Sequence, residues 1–156
     1  MKTAKGQTRL ADVLEKSEKK LLSEWLVDLR STAQGMTARI SEEDLAAQAH
    51  QFLKLLRESA QHGTEDVDSA DWAPVHSFLE EVSRSRATQG FTSDQTATFI
   101  FSFKRPLFAA LRKEVGSDAD ALMDATWSAT ELLDKLGLLT IKTFQQSREA
   151  VIRRQQ

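Results

Sequence analysis

Few side chains in this sequence are of the kinds that do chemistry, and their spacing narrows what they can do. The only imidazoles are His50, His62 and His76, and there is no cysteine. None of the histidines stands in an H-x-x-x-H or H-E-x-x-H pattern, so no metal site is expected. Without cysteine there is no thiol nucleophile, thiolate ligand or disulfide. The chain has no G-x-S-x-G elbow and no glycine loop that would cradle a phosphate. The acidic run GTEDVDSAD (63–71) lacks the D-x-D-x-D-G spacing and distal Glu of a calcium loop. The remaining carboxylates are scattered over solvent-facing helical positions. No catalytic constellation results, and an enzyme is not expected.

Two cations interrupt apolar stripes. Arg86 projects near the middle of one stripe, and Lys104 falls within another. Two readings stay open. Both side chains can bury their stems and keep their heads in water. Alternatively, they mark a pocket for an anion or small molecule between two successive helices, lined by Arg86, Phe99, Phe103, Lys104 and Leu107. Nucleic acid is not an expected partner, because the net charge is −2 and no helix is rich in basic and amide residues. His50 and His76 each lie roughly 110–120° from the centre of their apolar stripes on a helical wheel. That makes both boundary residues, read as surface or edge histidines rather than ligands.

These residues must be positioned by helices. Apolar residues recur at helical spacing from Thr8 to Ser31, interrupted by the charged run EKSEKK (15–20), where a bend or a break is expected. Residues 32–40 contain Gly35 and read as a loop. Ser41 caps a helix whose first turn holds Glu42, Glu43 and Asp44, and His62-Gly63 ends it. Residues 63–71 read as a solvent loop. A third helix starts near 71–73, with Pro74 in its first turn, and ends near 88–90. Thr92 and Gln95 form a capping box for the most apolar helix, 92–115, where Pro106 implies a kink near Ser102 and Gly116 is the residue beyond its end.

Ser117 is the expected cap of the last helix, 118–154. At 1.5 Å per residue it would be about 55 Å long, whereas a bundle of this size is only about 30–35 Å across. It should therefore outrun the bundle. Leu122, Thr126, Ala129, Leu133, Thr140 and Phe144 share one face and read as core. A heptad-like register through Ala129, Leu132, Leu136 and Leu139 reads as a homodimer seam. The class is all-α, a single domain over 1–156 with about five helices. No apolar run reaches the roughly 20 residues of a membrane span. With no cysteine either, a cytoplasmic location is expected.

Several stretches resemble the N-terminal sensor domain of the RsbR family, the stressosome co-antagonists of bacterial stress signalling. They are LLSEWLVDLR (21–30), the 41–61 helix, WAPVHSFLEEVSRSRATQGFT (72–92), the TSDQ cap at 92–95 with its Phe/Leu-rich helix, and QSREAVIRRQQ (146–156). The resemblance implies a non-haem, globin-like, commonly dimeric domain that senses stress or transmits it to an output module. That module would be a STAS domain, the partner of RsbS-like proteins and an RsbT-like kinase; similar sensor domains also precede histidine kinases. Residues 145–156 would begin the helical linker to an output domain outside this chain. A haem-binding gas sensor with His76 as ligand and a purely structural assembly module are the alternatives.

Overall fold

The structure, a computed structural model, describes residues 10–32 and 40–155. Among them the regular elements are α1 (10–16), α2 (Glu18–Thr32), α3 (Glu42–Ala60), a 3-10 turn (Ala70–Trp72), α4 (Ala73–Thr88), α5 (Ser93–Phe101), α6 (Lys104–Val115) and α7 (Ala119–Gln155). The protein is all-α. The loop expected at 32–40 falls largely outside the described residues.

The helices outnumber the five expected because two of them are broken. At Ser17 the break is slight. Ser17 N donates to Val13 O and Leu21 N to Ser17 O, so the hydrogen-bond ladder crosses the bend. Between α5 and α6 the break is complete. Pro106 has no N–H for the Ser102 carbonyl, which a continuous helix would require. Restarting the helix at Lys104 puts Pro106 in the first turn of α6, where N–H groups have no intrahelical partner anyway. Ser102 makes the break useful: its hydroxyl accepts from Trp25 Nε1 at 3.0 Å and lies 3.2 Å from Phe99 O.

Local chemistry sets most helix ends. Ser41 Oγ accepts from Asp44 N at 3.1 Å. Thr92 and Gln95 form a reciprocal capping box. Gly116 closes α6 at φ +74°, a conformation that side chains with a Cβ resist. At the start of α7 the expectation is corrected. The cap is Asp118, whose Oδ1 accepts from Ala121 N at 3.1 Å. Its charge also suits the positive end of the helix dipole better than a serine would. Residues 63–71 likewise depart from a plain solvent loop. Trp72 is buried, and its indole N–H needs a partner there, which it finds in Gly63 O at 2.8 Å. That draws the loop inward and buries Thr64 and Val67.

Helix α7 is the spine, with α4, α5 and α6 packed along it; α3 sits against α2 and α4, and α2 against α6. The centre is an aromatic cluster. Trp25 packs on Phe52, Phe99 and Phe103 with centroids 5.6, 5.1 and 4.9 Å apart, in tilted arrangements that rings favour. Trp25, Phe52 and Phe103 are fully buried. On α7 the buried residues run from Ala125 to Phe144, a span of about 30 Å at 1.5 Å per residue. Both ends of the helix therefore extend past the core. No helix among the described residues is long and apolar enough to cross a membrane.

Candidate functional site

Among the described residues Arg86 is the one buried cation. It is 4% exposed. Its Nη2 donates to Gln48 Oε1 at 2.7 Å, from α4 to α3, while Nη1 is buried without a hydrogen-bond partner. The guanidinium carbon lies 5.7 Å from the Phe91 ring centre and 5.9 Å from that of Phe99. Among the described residues no carboxylate is paired with it. Burial alone pulls its pKa down to about 10. Snorkelling is thus ruled out for Arg86, whose head and stem are both inside. Its partner Gln48 gave no sequence signal, being a neutral residue at the edge of the α3 stripe.

Lys104 lies elsewhere. It is half-buried at the start of α6, donates to Asp134 of α7 at 2.6 Å and sits 5.0 Å from the Phe101 ring centre. Phe99, Phe103 and Leu107 are buried in the core. Of the five residues anticipated as a pocket, Arg86 and Phe99 come together, Phe103 and Leu107 pack with the core, and Lys104 faces α7. The open groove beside Arg86 runs instead between α3 and α4. It holds about 610 Å³ and is lined by Gln48, Gln51, Leu55, Phe78, Glu81 and Val82, among others.

His76 is half-buried in the first half of α4. Its Nε2 lies 2.7 Å from Val67 O and 4.0 Å from Asp68 Oδ1. That nitrogen is occupied in tying α4 to the preceding loop. The aromatic cluster, with ring centroids 4.9 to 6.4 Å apart, fills the centre of the bundle. A haem needs a free axial nitrogen facing an apolar slot, and these residues do not fit one.

The residues expected as a seam on α7 are turned inward. Ala129, Leu132 and Leu136 are buried in the chain's own core, and Leu139 is half-buried against it. Periodicity could not distinguish a core stripe from a partner stripe on the same helix. The opposite face is the uncovered one. Met123, Trp127 and Leu138 are 73%, 66% and 64% exposed, and Ile152 is 45% exposed. With Thr130, Asp134, Ile141, Gln145 and Arg148 they form one row in steps of three or four residues. Trp127 is the largest exposed apolar side chain of that row.

Between α4 and α7 lies a buried hydroxyl network. Ser83 Oγ donates to Thr140 O at 3.2 Å, and Thr143 Oγ1 donates to Ser83 Oγ at 2.9 Å. Thr143 Oγ1 also lies 2.9 Å from Leu139 O on its own helix.

Residues 19–156 match the family of the RsbT co-antagonist protein RsbRD N-terminal domain. The chain belongs to this family, and is an RsbR-like N-terminal domain of the stress-signalling type. Comparisons with curated proteins and with solved structures give no match.

Proposed function

We propose that the domain is the sensory and dimerisation part of a cytoplasmic RsbR-like stress regulator. It pairs through α7 and relays a signal along the paired helices to an output module, a STAS domain or a kinase. Through a STAS module it joins a stressosome with RsbS-like and RsbT-like partners. The observation that carries this reading is the exposed Met123, Trp127, Leu138 and Ile152, with the half-buried Ile141, along one side of a 37-residue helix. Pairing two copies along it takes these apolar side chains out of water, at about 25 cal/mol per Å² buried. It leaves the core face, with Leu132 and Leu136, undisturbed.

The hydroxyls between α4 and α7 support a relay. Thr140 Oγ1 and Thr143 Oγ1 each have a carbonyl on their own helix, Leu136 O and Leu139 O, at 2.8 and 2.9 Å. If α7 shifts past α4, Thr140 and Thr143 keep these carbonyls, and only the buried Ser83 hydroxyl, bonded to Thr140 O and Thr143 Oγ1 on α7, has to change partners. The test is the mass in solution of the wild type and of Trp127→Glu with Leu138→Glu. The wild type is expected as a dimer and the variant as a folded monomer. A monomeric wild type would overturn the pairing.

A further inference from the structure

We propose that Arg86 anchors a binding site for a small monocarboxylate with an apolar body, entered through the groove between α3 and α4. The first ground is charge. A guanidinium is always protonated at physiological pH, and this one sits in the core with a neutral amide as its only hydrogen-bond partner among the described residues. Arg86 Nη1 has no acceptor at all. One carboxylate would take both nitrogens in the bidentate geometry that guanidinium favours, replacing Gln48 on Nη2 and supplying the missing acceptor for Nη1.

The second ground is access. Gln48 is half-buried, holds Arg86 on one side and lines the groove on the other. Its side chain is the displaceable stopper between solvent and the buried charge. The third ground is shape. The groove's volume, about 610 Å³, lies within the range of small-molecule sites. Leu55, Phe78 and Val82 give it an apolar wall that a bare inorganic anion would leave unused. Glu81 at the same groove disfavours a dianion such as phosphate and leaves a monoanion as the fitting charge. Phe91 and Phe99 hold the guanidinium from behind and keep water from it, which strengthens pairing with a carboxylate. The site does not depend on α7 pairing, since none of its residues lies on that helix.

Octanoate, below its micelle concentration, is the probe, measured by titration calorimetry on the full chain. The wild type should take up one octanoate, with 1-octanol, octylammonium and inorganic phosphate each binding far more weakly. Arg86→Met should weaken uptake about tenfold or more, the scale of a lost charge-assisted pair. Gln48→Ala should tighten it by removing the competitor. Gln48→Glu should abolish it, because a built-in carboxylate then occupies the ligand's place, and should raise the melting temperature. Circular dichroism checks that each variant folds, and if Arg86→Met does not, the two Gln48 variants decide. No uptake by the wild type, equal uptake by Gln48→Glu, or equal binding of phosphate or 1-octanol would overturn the proposal.

Discussion

Arg86 shows how a single side chain can work against the fold that contains it. Its pKa is pulled down to about 10 by burial, a penalty on the order of 3 kcal/mol at 1.36 kcal/mol per unit. Replacing it with methionine, which fills similar space without charge, should stabilise the protein by about 1–3 kcal/mol in urea unfolding. The pH dependence follows the same logic. The folded state gives up the Arg86 proton at lower pH than the unfolded state does. Above about pH 10 the unfolded chain therefore binds more protons, and this residue's contribution makes stability rise with pH up to the ordinary arginine range. Subtracting the Arg86→Met curve from the wild-type curve should isolate that rise; a flat difference would contradict it. Thr92→Ala, which removes one half of the capping box, should cost about 1 kcal/mol. Arg86 and Thr92 were both legible in the sequence, one as a charge in an apolar stripe and the other as a cap three residues before Gln95. Gln48 was not, because its pairing with Arg86 spans 38 residues and nothing local encodes it.

At the scale of elements, the contact between the α5–α6 break and α7 depends on a missing side chain. A Cβ added at Gly137 would lie 2.2 Å from Phe101 Cε1, so the ring lies directly on the α7 backbone. By helix propensity alone Gly137 is only a weak point in α7. The structure gives its reason, a close approach of the kind glycine permits. Gly137→Ala should therefore destabilise the wild type, since it pushes Phe101 off α7 and away from Lys104. In a Phe101→Ala background the same substitution should stabilise by about 1 kcal/mol, the helix propensity of alanine over glycine. A thermal-unfolding double-mutant cycle without that change of sign would contradict the packing. The kink expected from Pro106 was legible as far as its place near Ser102. That the Ser102 hydroxyl at this break takes the Trp25 indole N–H, 77 residues away, was not legible.

Across the whole molecule, the all-α class and the long last helix were legible because helical spacing and sparse glycine and proline are local properties. The inward face of α7 was legible in part: Ala129, Leu133, Thr140 and Phe144, expected as core, are buried, but the register through Leu132 and Leu136, expected as a seam, is buried with them. The buried and the exposed rows both repeat in steps of three and four, and only the packed bundle separates them. Ala125, Ala129, Leu132 and Leu136 went to the core, leaving the bulkier Met123 and Trp127 outside. Leu136→Asp should consequently unfold the protein, because it buries a lone carboxylate at a fully enclosed position. Loss of the helical circular-dichroism signal would show this; a folded monomer would instead restore Leu136 as a seam residue.

The most direct test of the paired, signal-relaying domain is its mass by light scattering, for the wild type and for Trp127→Glu with Leu138→Glu. Pairing through the outer face of α7 predicts twice the chain mass for the wild type and one chain mass for the variant, with unchanged helicity. A wild type at one chain mass, or a variant that stays at two, would contradict it.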